Sequence, residues 1–282
     1  GFNLSTLRFV MTAAEPVNAK TCEKFLQCFS NVGLKPEAFF AAYGLAEFTL
    51  AVSNYGRKAL KINAAFLKKG WIAQENHVDS VLLQSCGKAL GDTKILIVKE
   101  THGTLHPVED EVGEIWLQGS GKCLGYWNKP ELNQTVFHAT LPEVHGEWLR
   151  TGDLGFLHEG ELYVCGRIKD MILIRGLNYY PQDIEAIVER NPSIRKGCVA
   201  AFSEDGPEGE VLTVVAEWKK GTPKPDFSEL TTNLIGYLGI PLTKLVLIPP
   251  KTIAKTSSGK LRRSFIREQY LGGLLPMDEA LT

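Results

Sequence analysis

Lys260 stands in the segment IAKTSSGKLRR, where Thr256, Ser257, Ser258 and Gly259 make a flexible, donor-rich loop directly before a helix. A lysine delivered on such a loop can enter a site to neutralise charge and then withdraw. The plainer reading is a solvated lysine in a surface turn. The loop is not a Walker phosphate loop, because Ala254 occupies the place of its first glycine and Leu261 follows Lys260. Asp153 follows a tight Thr151-Gly152 turn, which would present its carboxylate to two vicinal hydroxyls, the geometry a ribose offers; as an Asx-turn residue it would cap its own backbone instead. Arg167 follows Gly166 and offers a planar cationic fork, or a rim salt bridge to Asp170.

The elements around these residues can be read from pattern. Residues 7–12, LRFVMT, form a short buried strand in this reading. A helical pattern starts at Glu15-Pro16, with Val17, Cys22, Phe25, Leu26 and Phe29 at roughly helical spacing. Residues 38–42 make a second buried strand ending at Tyr43-Gly44. Strand, helix, strand is the signature of a βαβ unit with a parallel sheet, and ligands gather beyond the carboxyl ends of such strands. Thr12 to Pro16 and Tyr43 to Glu47 fall there. From Val81 to Cys165 the texture changes to short strands (VLLQSC, KILIVK, EIWLQG, ELYVCG) between turn residues, with one helix from Pro130 through Phe137 and a hairpin around a Glu-Gly turn from Phe156 to Cys165. Beyond Asp170 the pattern predicts a hairpin, a helix over 181–190, strands over 197–203 and 210–218, a helix over 226–238, a strand over 244–248 and a C-terminal helix from Lys260. The predicted class is α/β: the end of a large parallel-sheet domain with a β-rich subdomain (1–166), a boundary at 167–170, and a small α+β C-terminal domain (171–282).

The stretch from Trp148 to Glu185, WLRTGDLGFLHEGELYVCGRIKDMILIRGLNYYPQDIE, resembles the junction between the large and small domains of the acyl-adenylate-forming enzymes. That superfamily holds acyl-CoA synthetases, luciferases and peptide-synthetase adenylation domains. The ending NYYPQDIE is most similar to the fatty acyl-AMP ligases, and the resemblance covers essentially the whole chain. It implies activation of a fatty acid by ATP, with Mg²⁺, to an acyl-adenylate and pyrophosphate. The acyl group would then pass to the phosphopantetheine arm of an acyl carrier protein or of a polyketide or peptide synthase. Enzymes of this kind usually carry a Ser/Thr/Gly-rich phosphate loop in a longer N-terminal half. None precedes Gly1, so the chain reads as a C-terminal half whose partners include its own missing N-terminal half, and which is inactive alone.

The resemblance also implies roles. Lys260 is the lysine that bridges acyl carboxylate and phosphate; Asp153 binds the ribose and Arg167 also reaches the nucleotide. Tyr43 stacks on adenine, next to Gly44, with the backbone of Ala13, Ala14 and Glu15 on the opposite face. Glu47 contacts Mg²⁺, which takes one or two carboxylates plus phosphate oxygens, and Thr12 lies near the phosphates. Lys169 is the hinge between adenylating and thiolating poses, and Gly176 lets the pantetheine arm pass. Residues 65–86 lie at about the place of an insertion that separates the ligases from the acyl-CoA synthetases, and Phe66, Leu67, Trp71 and Ile72 could then pack on the small domain; the alternative is an ordinary helix-and-strand connection of the large domain. A long-chain acyl-CoA synthetase and a truncated, non-catalytic fragment are the alternatives.

Composition narrows the rest. The chain has 282 residues and a net charge of -1 from 31 basic and 32 acidic side chains, which argues against a broad nucleic-acid footprint. Six cysteines include no CxxC pair and read as buried thiols in a reducing compartment. No apolar run approaches a membrane span and no signal-peptide pattern opens the chain, so the expected location is cytoplasmic. The GxG at Gly119 and Gly121 misses its third glycine by one place, at Gly125, and the histidines are scattered.

Overall fold

The computed structural model describes residues 1–73, 80–206 and 209–282. The chain divides into two units, Gly1–Ile168 and Lys169–Thr282. The class is α/β, with several sheets and few helices.

In the first unit the strands Val10–Thr12 and Phe39–Leu45 pair in parallel, Thr12 opposite Ala41, and the helix Ala19–Ser30 crosses between them. The helix starts later than its apolar spacing suggests. Asn18 accepts the Thr21 amide, and a short polar side chain caps a helix far better than Glu15-Pro16 could. The first strand is also shorter and less buried than predicted: Phe9 is 59% and Met11 61% exposed, because this strand is the edge of the sheet. The sheet continues antiparallel through Leu50–Gly56 to Lys88–Ala89. Its register slips on both sides of Tyr43, and the tight crossing requires Gly44, where a Cβ would lie 1.6 Å from the Leu50 carbonyl oxygen.

A six-stranded sheet carries the rest of this unit, running from Ala139–Leu141 through Val144–His158, Gly113–Gln118 and Lys94–Thr101 to Thr104–Pro107. Glu161–Arg167 pairs back on Val144–His158 through the Glu159-Gly160 turn. Phe48, Val52, Ile97, Ile115, Leu117, Phe137, Leu149 and Leu162 form the core against which Tyr43 packs. In the 65–86 segment, Leu67 is buried within this unit while Phe66 and Trp71 are exposed, and Ser80–Gln84 pairs with Ala59–Asn63. The middle of that segment, 74–79, lies outside the described residues.

In the second unit a hairpin, Ile172–Ile174 with Leu177–Tyr179, turns at Arg175-Gly176 and leads into the helix Pro181–Val188. A four-stranded sheet follows in the order Ile194–Gly206, Gly209–Trp218, Lys244–Ile248, Glu279–Leu281. The helix Phe227–Leu238 crosses between two strands that pair in parallel. Alternation sorts the sheet's side chains to two faces. Val199, Ala201, Val214, Ala216, Leu245 and Leu247 meet the helices Pro181–Val188 and Phe227–Leu238; Ala200, Phe202, Val215, Val246 and Ile248 meet Ile266 of the helix Arg263–Leu271. That last helix begins at Arg263, not at Lys260 as predicted, because residues 254–262 pair among themselves first. The strand Glu279–Leu281 had no counterpart in the sequence reading.

Candidate functional site

Asp153 lies inside the strand Val144–His158, not in a turn between strands. Between Arg150 and Leu154 this strand advances four residues while its partner advances two, from Trp116 to Glu114, so Thr151 to Asp153 form a bulge. The bulge is held from below. Thr151 Oγ1 donates to the Ile115 carbonyl at 2.7 Å and accepts the Asp153 amide at 3.0 Å. The buried Glu114 carboxylate receives the Gly152 amide at 3.1 Å, the Arg150 Nε at 3.0 Å and the Trp116 indole at 2.9 Å.

Held in this way, Asp153 receives two donors. Tyr43 Oη donates to Oδ2 at 2.6 Å and Arg167 Nε donates to Oδ1 at 2.9 Å, from directly across the ladder. The Asx-turn alternative for Asp153 does not occur, and Arg167 pairs with Asp153. Burial pushes the Asp153 carboxyl up; the Tyr43 hydrogen bond and the Arg167 charge pull it back, the Glu47 charge adds to the rise, and the balance is upward. Tyr43 is held well above the usual phenol value by burial first and then by the Asp153 charge, so it remains a donor. Each carboxylate oxygen keeps lone-pair capacity beyond its one bond, which is what a diol would need.

Glu47 sits in the short turn Ala46–Phe48 that follows the strand of Tyr43. Its Oε1 accepts the Tyr126 hydroxyl at 2.7 Å, and its carbonyl accepts the Cys123 amide at 2.9 Å. Tyr126 is fixed in turn: Asn133 bonds its amide and carbonyl at 2.7 and 2.9 Å, and its ring meets buried Phe137 edge-on. Burial, then the Glu47 hydrogen bond and charge, push the Tyr126 phenol up to about 12. Among the described residues no group of three or more His, Cys, Asp or Glu side chains could hold a metal alone. A single half-buried carboxylate still fits Mg²⁺ when phosphate oxygens supply other ligands.

Ala13, Ala14 and Glu15 follow the strand Val10–Thr12 at the same carboxyl edge as Tyr43, and Ala14 holds a φ of 79°, unusual for a residue with a Cβ. The structure thus gathers Tyr43, Asp153 and Arg167 directly, with Glu47 close enough for its charge to act on Asp153. Lys169, Gly176 and Lys260 belong to the second unit. Lys169 is exposed in the turn Ile168–Asp170. Gly176 has φ 74° and nothing within 4 Å of a Cβ, so the hairpin turn itself accounts for the glycine. The Lys260 loop is less loose than its composition suggests, since Thr256 accepts the Lys260 amide on its side chain at 3.1 Å and donates its own amide to the Lys260 carbonyl at 2.8 Å.

Residues 2–127 match the family model described as AMP-binding enzyme. The chain is 41% identical over 99% of its length to the medium-chain-fatty-acid–[acyl-carrier-protein] ligase JamA of Moorena producens, of which it covers 49%. Over its whole length it is similar to proteins of the acyl-adenylate-forming superfamily. A second relative, the long-chain-fatty-acid–AMP ligase FadD32 of Mycolicibacterium smegmatis, is 32% identical over 97% of this chain and 50% of its own. Among solved structures, one from a study of fatty acyl-adenylate ligases from E. coli and L. pneumophila superposes with a TM-score of 0.81 at 30% identity, covering 96% of this chain and 49% of that one. The chain therefore spans about half the length of the relatives it matches.

Two residues of the site, Tyr126 and Glu114, were not legible from the sequence. Tyr126 lies in GYWNKP, where Gly, Asn and Pro signal a turn and no more. Glu114 is the second residue of the strand Gly113–Gln118, whose residues through Leu117 are all buried, so no alternation marks it as inward.

Proposed function

We propose that this chain supplies the nucleotide-binding residues and the catalytic lysine of an enzyme that joins a fatty acid to the α-phosphate of ATP, releases pyrophosphate, and hands the acyl group to an acyl carrier protein. The observation that carries the reading is the Tyr43–Asp153–Arg167 constellation beside Glu47, in a chain similar over its whole length to the adenylate-forming superfamily. Asp153 offers two oxygens to the ribose hydroxyls, and Tyr43 and Arg167 hold that carboxylate in place while Arg167 lends a cation near the nucleotide. Glu47 is the carboxylate that would hold Mg²⁺ against the triphosphate, the ion supplying charge neutralisation there. Lys260 supplies the cation between the acyl carboxylate and the α-phosphate, where two anions must approach and electrostatic stabilisation counts most. Lys169 is the pivot on which Lys260 arrives and departs, and Gly176 is the place where a pantetheine arm passes. The names of the relatives support a fatty acid as substrate and a carrier protein as acceptor.

The test is fatty-acid-dependent ATP–pyrophosphate exchange in the whole protein. Lys260→Ala should abolish exchange and leave ATP binding largely intact; unchanged exchange would remove Lys260 from its role. Offered free CoA and a phosphopantetheinylated carrier, the enzyme should acylate the carrier, and robust acyl-CoA formation would overturn the acceptor assignment.

A further inference from the structure

The segment that bears Lys260 has little of its own to bury. Thr256, Ser257, Ser258 and Gly259 at its tip are exposed, while Ile253, Ala254 and Leu261 at its ends pack on the core beneath the sheet, so apolar contact holds the feet but does not orient the tip. Internal bonds give the segment its shape: Arg262 N–H to the Ala254 carbonyl at 3.0 Å, the Lys255–Leu261 bridge, Thr256 N–H to the Lys260 carbonyl at 2.8 Å and Gly259 N–H to the Thr256 carbonyl at 2.9 Å. They make a small hairpin whose position is set at its two feet.

Each foot rests on a buried carboxylate that is itself paired with an arginine. At the first, the Ile253 amide donates to Glu217 Oε1 at 2.8 Å, and Arg195 Nη1 meets Glu217 Oε2 at 2.5 Å; Glu217 is 1% exposed near the end of the inner strand Gly209–Trp218. At the second, Arg263 begins the helix that follows the loop and grips Glu185 with Nε and Nη2 at 2.7 and 2.8 Å. Glu185 lies on the helix Pro181–Val188, is 6% exposed, and also accepts the Ala201 amide at 3.1 Å. Arg263 Nη1 reaches Asp170, the residue after Lys169, at 3.9 Å.

Resting on the reading of Lys260 as the adenylation lysine, we propose that Glu185, Arg263, Glu217 and Arg195 are positioning residues that clasp the feet of its loop. The bidentate Arg263–Glu185 pair fixes both distance and direction, which a single contact does not, and at the other foot Glu217 is held by Arg195 on one oxygen and the Ile253 amide on the other. Both arginines are neutralised by their own carboxylates, while Lys260 makes no ion pair among the described residues, so the clasp presents one uncommitted ammonium. Through Asp170 the second foot is tied to the residue beside the proposed pivot, so a torsion change at Lys169 moves loop and pivot segment together. Catalysis of this kind is steeply sensitive to placement, with a displacement near 1 Å costing about a hundredfold.

The experiment compares Glu185→Gln, Arg263→Gln, Arg263→Lys and Glu217→Gln in the whole protein. The readouts are pyrophosphate-exchange kinetics, KM for ATP, melting temperature and hydrogen exchange of peptides covering 254–262. The expected result is a fall in kcat of about ten- to a hundredfold with KM for ATP nearly constant, faster hydrogen exchange in 254–262, and partial rescue in Arg263→Lys relative to Arg263→Gln. Unchanged kcat in Glu185→Gln and Glu217→Gln, with Lys260→Ala inactive, would overturn the clasp and leave the role of Lys260 standing. Full activity in Lys260→Ala would remove both. If Arg263→Gln fails to fold, Glu185→Gln and Arg263→Lys still decide the matter.

Discussion

The hydroxyl of Tyr43 donates to Oδ2 of Asp153 at 2.6 Å, joining residues 110 positions apart in the chain. Tyr43→Phe keeps the ring and its packing but removes one of two donors from a carboxylate that is only 5% exposed. Losing a partner for a buried charged acceptor costs about 1 to 3 kcal/mol. The midpoint of chemical denaturation should fall accordingly, and KM for ATP should rise in the whole protein. An unmoved midpoint would show that Arg167 alone satisfies Asp153.

Tyr126→Phe tests the support of Glu47. The substitution preserves the edge-on contact with Phe137 and deletes only the donor to Oε1. Because the phenol is pushed up to about 12, Tyr126 donates at any working pH. The Mg²⁺ concentration for half-maximal exchange should increase about tenfold, in line with a hydrogen bond to a charged group. Direct Mn²⁺ binding to the ATP complex should weaken in parallel, and an unaltered metal titration would detach Tyr126 from Glu47.

Gly44→Ala should be among the most damaging small substitutions in the first unit. Its Cβ would fall 1.6 Å from a backbone oxygen of the neighbouring strand, which no rotamer change can relieve. Overpacking of this kind costs about 1 to 3 kcal/mol when side chains can yield and more when backbone must move. Loss of soluble protein or a large drop in melting temperature is expected, and a normal melting temperature would count against the strand crossing.

Two carboxyls should leave opposite marks on stability against pH. Glu217 is pushed up by burial, but the amides of Ile253 and Lys251 and the Arg195 charge outweigh this and bring it below its ordinary 4.5. The stability it contributes is present above pH 4.5 and is lost as pH falls through its folded value. Asp153 is raised above 3.8, so its contribution is complete below pH 3.8 and is lost as pH rises through its folded value. Measured by denaturant titration, the gap between wild type and Glu217→Gln should narrow on acidification. The gap between wild type and Asp153→Asn should move in favour of Asn as pH rises. Parallel profiles would contradict the assigned directions.

Local pattern made much of this legible. The parallel pair around the first helix, the hairpin beyond Asp170 and the helices near 130, 181 and 226 all follow from apolar spacing and cap residues. Tyr43, Asp153 and Arg167 could each be named from their surroundings. Their mutual bonding could not, because it depends on a bulge set by Glu114 and on a strand register that no local signal encodes. Glu185 and Glu217 were illegible for a related reason: a glutamate in a helix or strand reads as solvated, and only tertiary pairing with Arg263, Arg195 and backbone amides makes burial tolerable.

The bond from the Ala201 amide to Glu185 reaches beyond the lysine loop. Ile194–Gly206 is the outermost strand of its sheet, and an outer strand with open amides invites a foreign strand to dock and seed aggregates. By occupying that amide with a carboxylate already committed to Arg263, the protein blocks such docking at mid-strand. The same glutamate thereby guards solubility, and its loss should be felt first in how concentrated the protein can be kept.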